Sequence, residues 1–438
     1  MAETVSEVLS DAHAVRLMLD FEVALARVQK AMGILPAAAA DEIIRCGRPE
    51  MVPADALAEQ RRVTAHPLLA FLAVWARSMT GDASEWVHYG ATTMDVMNTV
   101  YVLQLRAAAW LFVERLRAIE AVLLELAVAH RATPMIGRTL GRHALPITFG
   151  FKVSVWLAEN RRNIGRLVSW RESNDVGVLS GAVGSYAAFG ARGFEIEAAV
   201  MAELGLRAVE DVDWKGSRDG YAEFACIAAI VGKTLGRIGQ EIFLLQGDDI
   251  GELTEIGSGV GSSTMPHKSN PARCIAVMSG ASEVAGYVTP MLDWMMTMFE
   301  RDSTQQVGPM TAQCLALDRQ MRTMQALLSG LGVNGETMLR NLRRTNGLIL
   351  AEDLMFRLGH AMGKQRAHDI VADLAADAYR RGVSLRAAVE GVPEMAAVLG
   401  EDGLASLSLP ERYVGLAVEV VDRTVVRVRR AREEEGRK

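Results

Sequence analysis

The sequence predicts an all-α protein built around a bundle of long helices. Half of its 438 residues are apolar and only 6% are aromatic, and 22 Met contrast with 12 Pro. Such a composition favours helices packed on helices over sheets. From Thr99 to His130 there is neither Pro nor Gly, and apolar residues recur every three or four positions. At about 1.5 Å per residue this segment predicts a helix of roughly 45 Å, a length typical of bundles.

Other segments repeat the same pattern. Residues 13–34 predict one amphipathic helix, and the segments 221–246 and 311–331 are free of Pro. Residues 276–299 are interrupted by Pro290, where a kink is expected because proline disrupts a helix interior.

Three parts are expected along the chain. Residues 1–99 form an N-terminal helical domain and residues 100–350 the central long-helix bundle. Past residue 350 glycines punctuate shorter helices, which predicts a small C-terminal helical domain over 351–438. The charged ending from Arg427 onward is expected to be a frayed, solvated tail.

Charge and cysteine usage exclude several classes of protein. The formal net charge of −6 gives nucleic acid or an anionic membrane little reason to bind. The four cysteines form no C-x-x-C pair, so neither a metal site nor a disulfide framework is indicated, and no cofactor is expected. No signal peptide and no run of eighteen apolar residues is visible, so we expect a cytoplasmic protein.

The segment 257–271 is the richest in chemistry. It contains three glycines, five hydroxyl side chains, an imidazole, an ammonium and a carboxamide. The glycines allow unusual backbone angles, whereas Pro266 and Pro271 stiffen the second half. We interpret it as a mobile flap followed by a cradle for an anion. An ordinary surface loop is the alternative, and a phosphate-binding P-loop is disfavoured because His267, not glycine, precedes Lys268.

The second half of this segment resembles the signature of the fumarase/aspartase superfamily. That signature reads Gly-Ser-Ser-x-Met-Pro-x-Lys-x-Asn-Pro, and residues 261–271 match it at every fixed position. The resemblance implies that Ser262 is the catalytic base. It further implies that Ser263, Lys268 and Asn270 bind the substrate.

A second short motif lies at residues 88–95. Adjacent Thr92 and Thr93, preceded by a glycine, stand at a predicted helix start, where they can cap the helix or help to hold a carboxylate. The segment resembles the superfamily motif His-x-Gly-x-Thr-Ser/Thr-x-Asp, which implies that His88 and both threonines bind substrate. His66, in another turn-like setting before proline, is a further candidate.

Two glycine-containing segments, 137–150 and 180–186, are expected to be loops that open onto a cleft. Both resemble segments of the adenylosuccinate lyase and 3-carboxy-cis,cis-muconate cycloisomerase branch, as do residues 217–219 and 300–303. The resemblance implies that Arg138, Thr139 and Arg301 contact the substrate.

The chain departs from adenylosuccinate lyases at three places. Leu140 stands where they carry a histidine and Ile275 where they carry a glutamate, so both members of a His–Glu general-acid pair are missing. The cycloisomerase branch also lacks this pair. His143 is the nearest substitute acid, although a structural, hydrogen-bonded histidine explains it equally well. After Arg301, where adenylosuccinate lyases resemble Ser-Ser-x-Glu-Arg with an arginine that helps to bind the nucleotide, this chain reads Ser303-Thr304-Gln305-Gln306-Val307-Gly308.

The resemblance implies an all-α homotetramer with active sites shared between subunits. Its expected activity is C–N β-elimination from a small N-substituted succinate, through an aci-carboxylate intermediate, to release fumarate. The substrate is then a small dicarboxylate-type anion. A 3-carboxy-cis,cis-muconate cycloisomerase and a non-catalytic helical scaffold are the alternatives.

Overall fold

The computed structural model describes residues 4–212, 215–257, 261, 264–265, 267–302 and 307–435. The chain divides into two compact units. The first contains Met1–Arg115, Asn163–Lys233 and Gly280–Gln320, and the second contains Leu116–Arg162, Thr234–Ser279 and Met321–Lys438. The division into three domains made from the sequence remains a prediction.

Helices dominate the described residues. In chain order the α-helices are α1 (Val5–Val8), α2 (Asp11–Ala31), α3 (Ala37–Arg45), α4 (Ala54–Thr64), α5 (Pro67–Ala76), α6 (Thr93–Ala129), α7 (Phe149–Asn174), α8 (Gly193–Glu203), α9 (Asp219–Leu245), α10 (Ala272–Gly286), α11 (Val288–Asp293), α12 (Val307–Ser329), α13 (Gly335–Arg343), α14 (Ala351–Met362), α15 (Lys364–Arg381), α16 (Leu385–Glu390), α17 (Pro393–Ser406) and α18 (Ala417–Glu435). Short 3-10 helices are found at Pro49–Met51, Ala83–Trp86, Gly190–Arg192, Leu348–Leu350 and Pro410–Arg412.

The longest of these elements is α6, with 37 residues. It confirms the long helix predicted from the sequence and begins six residues before Thr99, at Thr93. Its most deeply buried side chains recur with helical spacing and include Leu105, Phe112, Leu116 and Leu123, all with no exposed surface. A helix with such a continuous apolar stripe is stabilised by the elements packed against it.

The other predicted helices are also confirmed. The helix predicted for 13–34 is α2, whose first turn is capped by the Ser10 hydroxyl. Those predicted for 221–246 and 311–331 are α9 and α12. Near Pro290 the chain forms two separate helices, α10 and α11. The break follows Gly286, four residues before Pro290, where a proline ring would clash with the carbonyl of a continuous helix.

The prediction of a loop over 137–150 is wrong. Strands β1 (Pro134–Thr139) and β2 (Arg142–Thr148) pair there as an antiparallel hairpin. The two turn residues, Leu140 and Gly141, have φ of 51° and 74°. This is the geometry of a two-residue hairpin turn, and it was missed because leucine is unusual at its first position. The segment 180–186 has no regular secondary structure, as predicted.

A second small sheet pairs β3 (Leu253–Glu255) with β4 (Leu331–Val333). It stands directly before the segment 257–271 and so fixes where that segment begins. The few strands do not change the predicted all-α class, which the structure confirms.

The prediction of a frayed tail is wrong for the described part of the C-terminus, because α18 continues to Glu435. Arg161 lies between the buried Glu120 and Glu435 and pairs with both. Arg432 donates to the same Glu120 carboxylate at 3.2 Å. A charged helix is therefore held by ion pairs that a sequence pattern does not display.

No helix among the described residues is long and apolar enough to cross a membrane. The same residues contain no group of three or more His, Cys, Asp or Glu side chains that is arranged to hold a metal ion.

Candidate active site

His66 stands at the start of α5. Its Nδ1 accepts a hydrogen bond from the Leu69 N–H at 3.2 Å and so caps the helix. An accepting Nδ1 carries no proton, which places the ring proton on Nε2. His66 is half-buried.

His88 is held in a left-handed backbone conformation, with φ of 59°. Its Nδ1 lies 2.7 Å from Oε1 of Glu22, a residue of α2 whose side chain is 1% exposed. Burial lowers the pKa of His88, but the charge and hydrogen bond of Glu22, aided by Asp95, outweigh it and leave the pKa raised. The arrangement therefore favours an imidazolium at this position.

Thr92 and Thr93 are half-buried at the start of α6, as predicted. The fully buried Asp95 carboxylate accepts from the Thr92 N–H at 2.8 Å and thereby caps the helix. It also accepts from the N–H groups of Ser180 and Gly181 at 3.0 and 3.1 Å. Asp95 thus joins the two polar segments that the sequence singled out separately.

The cation that balances Asp95 is Lys215, whose Nζ lies 2.8 Å from Asp95 Oδ1. Burial raises the pKa of Asp95, and the ammonium opposes that effect in part. Sequence reasoning missed Lys215 and Glu22. Both lie outside the 88–95 motif that contains their partners, Asp95 and His88. Only the fold brings each pair together.

Arg301 is exposed next to the anchored Asp302. Asp302 accepts from the Arg218 guanidinium at 2.6 Å, in a pair whose side chains are 2% and 5% exposed. It also accepts from the Met298 N–H at 3.1 Å. Arg301, the candidate cation, therefore follows directly on a turn that is fixed by hydrogen bonds. Gln305 and Gln306 lie outside the described residues.

In the second unit the hairpin carries Arg138, Thr139 and His143. Arg138 forms a bidentate pair with the buried Glu252, at 2.7 and 3.0 Å. Glu252 also accepts from the Asn341 amide at 3.0 Å. Much of the Arg138 donor capacity is thus used inside the unit, and its substrate contact remains a prediction.

Thr139 and His143 are exposed, and His143 is paired with Arg138 across the hairpin. Partial burial and then the charge of Arg138 lower the pKa of His143, helped by Arg344 and Arg142 and opposed by Glu252. A neutral imidazole is a poorer proton donor than an imidazolium. The geometry therefore gives little support to His143 as the general acid, which remains a prediction.

The two ends of the signature segment, residues 257–271, are held together by hydrogen bonds, and we call this part of the chain its stem. The Glu255 carboxylate accepts from the N–H groups of Arg273 and Cys274, at 3.1 and 3.0 Å, and so caps the first turn of α10. The Arg273 guanidinium donates to the carbonyls of Ile256 and Gly257, both at 3.0 Å. The two ends of the segment are therefore tied to each other.

Beyond the stem, an isolated antiparallel bridge joins Gly261 to Ser269. Lys268 is exposed, with its N–H bonded to the Met265 carbonyl at 2.9 Å, and Asn270 is half-buried just before α10. The predicted base Ser262, its neighbour Ser263 and Pro266 lie outside the described residues.

The two apolar departures from the adenylosuccinate lyase pattern are both accessible. Leu140 is fully exposed at the hairpin tip, and Ile275 is 48% exposed in the first turns of α10. Neither apolar side chain is therefore part of the buried core. Both side chains remain available to a bound molecule or to another chain.

The candidate residues fall into two sets. In the first unit are His66, His88, Thr92, Thr93 and Arg301. In the second unit are Arg138, Thr139, His143, Lys268 and Asn270.

We expect Glu22→Gln to lower the pKa of His88 below its ordinary value, because burial then acts without the opposing charge. In the native protein the raised pKa stabilises the fold at pH below about 6.5, and this stabilisation is lost as pH rises through the folded-state pKa. The variant should therefore be less stable by about 2 kcal/mol in acid, with the difference narrowing at higher pH.

Proton NMR titration of the His88 ring and denaturant unfolding across pH measure both effects. Glu203→Gln, which alters an exposed partner of Arg27, is the matched control and should leave the His88 titration unchanged. An unaltered His88 pKa in Glu22→Gln would contradict the assignment.

Two family models match the chain. One, described as Lyase, covers residues 10–286, and the other, described as Adenylosuccinate lyase C-terminus, covers residues 347–424. Together they span most of both units.

Individual relatives carry different activities. The chain is 35% identical over 423 residues to an N-acetyl-S-(2-succino)cysteine lyase of Dickeya dadantii, covering 95% of this chain and 93% of the relative. It is 37% identical over 415 residues to an adenylosuccinate lyase of Methanothermobacter thermautotrophicus, covering 93% and 92%.

A solved structure agrees with these matches. The 3-carboxy-cis,cis-muconate lactonizing enzyme from Pseudomonas putida superimposes with a TM-score of 0.89 at 31% identity, covering 97% of each chain. On the family models, the relatives and the shared helical architecture, this chain belongs to the fumarase/aspartase superfamily, in the branch of the adenylosuccinate lyases and 3-carboxy-cis,cis-muconate cycloisomerases.

Proposed function

We propose that the chain catalyses β-elimination from a small substituted succinate and releases fumarate, with a leaving group of low basicity. The observation that carries the proposal is the pair of exposed apolar side chains, Leu140 and Ile275, where adenylosuccinate lyases carry an acid pair. The superfamily signature over residues 261–271 is intact in the sequence.

The reaction needs a base and a set of fixed donors. Ser262 removes the proton next to a carboxylate, and the charge that builds up on that carboxylate is stabilised by Lys268, Asn270 and the Thr92-Thr93 helix start. A serine is a weak base until water is excluded and donors surround it. The stem formed by Glu255 and Arg273 supports this role, because a flap needs fixed ends to close reproducibly.

The leaving group decides whether an acid is required. An alkylamine leaves as a strong base and has to be protonated, whereas a thiol, with a pKa of about 8.5, leaves readily as a thiolate. The sequence alone favoured C–N cleavage of an N-substituted succinate. The relative named for a succinocysteine adds a sulfur leaving group of low basicity. We therefore extend the proposal to C–S as well as C–N bonds.

We expect fumarate to be released from 2-thio-substituted succinates and from succinates carrying weakly basic nitrogen, but slowly from alkylamine analogues and adenylosuccinate. The double variant Leu140→His/Ile275→Glu should raise the rate with amine leaving groups by about tenfold or more relative to the thiol analogue. Ultraviolet absorbance of fumarate measures each rate. Adenylosuccinate turnover at about 1 s⁻¹ or faster by the unaltered chain would overturn the proposal.

Ser262→Ala should remove nearly all fumarate release while leaving the melting temperature unchanged, because the substitution removes the base and only one hydroxyl group. A fall in kcat of about 10³-fold or more is expected. Ser263→Ala is the matched control, altering the adjacent hydroxyl. If that control is inactive while Ser262→Ala turns over normally, the base has been assigned to the wrong serine.

A second candidate is cycloisomerisation of 3-carboxy-cis,cis-muconate. It is favoured by the similarity to the Pseudomonas putida enzyme over nearly the whole chain, and by the absence of the acid pair from that branch. The same base and donors serve either reaction. Loss of the muconate absorbance without fumarate formation distinguishes this activity from elimination, and failure of both assays with every substrate favours the non-catalytic scaffold.

We expect the working enzyme to be a homotetramer whose sites combine residues of several chains. Exposed apolar side chains on long helices, among them Trp110, Ile230 and Leu244, support this. Mixing inactive Ser262→Ala and His88→Ala chains should then restore about one quarter of the native rate. A fully active monomer in light scattering, or no recovery after the chains are exchanged, would count against shared sites.

A further inference from the structure

The segment 215–218 contacts three regions of the first unit, two of which carry candidate site residues. These regions are the start of α6 with Thr92 and Thr93, the loop 180–186, and the turn that ends at Arg301. The segment precedes α9, and its two long cationic side chains are both buried. Lys215 contacts the first two regions, and Gly216 and Arg218 contact the third.

Lys215 contacts the first two regions. Its side chain is 2% exposed, and its ammonium pairs with the Asp95 carboxylate and hydrogen-bonds the Ser180 hydroxyl. The same carboxylate accepts the N–H groups of Thr92, Ser180 and Gly181. A buried carboxylate without a cation would be protonated or drawn toward water. The ammonium therefore keeps three backbone N–H groups in one arrangement.

Arg218 contacts the third region. Its guanidinium pairs with Asp302, donates to the Trp294 carbonyl at 3.2 Å and lies 5.2 Å from the Trp294 ring centre. Between the two cations, Gly216 accepts from the Thr297 hydroxyl at 3.0 Å. A Cβ on Gly216 would lie only 2.9 Å from the Glu300 carbonyl, so this position has no room for a side chain.

We propose that Lys215 is a positioning residue, which acts through Asp95 to hold the Thr92-Thr93 helix start and the Ser180 loop in the geometry that binds a substrate carboxylate. Its catalytic consequence rests on the proposed function. Its structural consequence, the ordering of these two segments, does not.

A buried ion pair that only stabilises the fold gives a different expectation. Its loss lowers the melting temperature and loosens the chain around the pair, but it leaves substrate affinity per folded molecule unchanged. Arg161 and Glu120 form such a pair in the second unit, with side chains 14% and 0% exposed, and neither is a candidate site residue. Arg161→Met is therefore the matched control for Lys215→Met.

Hydrogen exchange measured by mass spectrometry on the full chain tests the structural part. In Lys215→Met, peptides covering 88–97 and 178–187 should exchange about tenfold faster or more, while peptides from α12 stay close to native rates. In Arg161→Met the faster exchange should be confined to residues around 116–123 and 158–163.

Steady-state kinetics test the functional part with whichever substituted succinate the native chain turns over. We expect Lys215→Met to raise KM by about 10²-fold with a smaller change in kcat, because carboxylate binding is misaligned while the base is untouched. Adding Asp95→Asn, which removes the unpaired charge but keeps an acceptor, should restore part of the affinity. Arg161→Met should leave KM unchanged.

The proposal is overturned if Lys215→Met is less stable but shows native exchange in both peptides and a native KM. Asp95→Asn alone removes the charge through which Lys215 acts and serves if Lys215→Met does not fold; native exchange and a native KM in that variant would then overturn the proposal. If the native chain releases no fumarate, the proposed function fails, while the exchange comparison still decides whether Lys215 orders the two segments.

Discussion

A buried carboxylate needs partners that replace water, and four ion pairs that meet this need organise the polar part of the chain. Glu22, Asp95, Glu252 and Asp302 are buried or nearly so, and each is paired with a cation or potential cation. The four partners are His88, Lys215, Arg138 and Arg218. Removing one partner of such a pair typically costs about 3–5 kcal/mol, because the remaining charge has no water to solvate it. The loops that carry candidate site residues are therefore fixed by electrostatics more than by their own conformational preferences.

These pairs distinguish residues that contact a substrate directly from residues that support the site, a distinction that family resemblance alone does not make. His88 and Arg138 both belong to segments that resemble substrate-binding segments, yet each also neutralises an internal carboxylate. Lys268 and Arg301 are different, since both are exposed on the described surface. The exposed cations suit direct contact with an anion, and the paired ones suit a supporting role with part of their donor capacity left over.

Helices and local motifs were predictable from the sequence, and long-range pairings were not. The uninterrupted apolar periodicity before His130 was sufficient to predict α6, and the Pro-free segment 221–246 was sufficient to predict α9. The hairpin was missed because Leu140 is a poor residue for its turn. Lys215 was missed for another reason: its partner lies 120 positions away, and no periodicity connects two such residues. Charged residues in the final helix were likewise interpreted as a solvated tail, because the chain order gives no sign of Glu120 beneath them.

The turn at Leu140 has a thermodynamic consequence. Holding a leucine at a positive φ destabilises the folded state by about 1 kcal/mol. The leucine side chain is also left fully exposed to water. Any molecule that covers this side chain recovers hydrophobic free energy without having to reshape the backbone, which is already in place. Mass action then links the stability of the fold to the concentration of whatever covers the hairpin tip. The melting temperature would then rise with the concentration of a molecule that binds there.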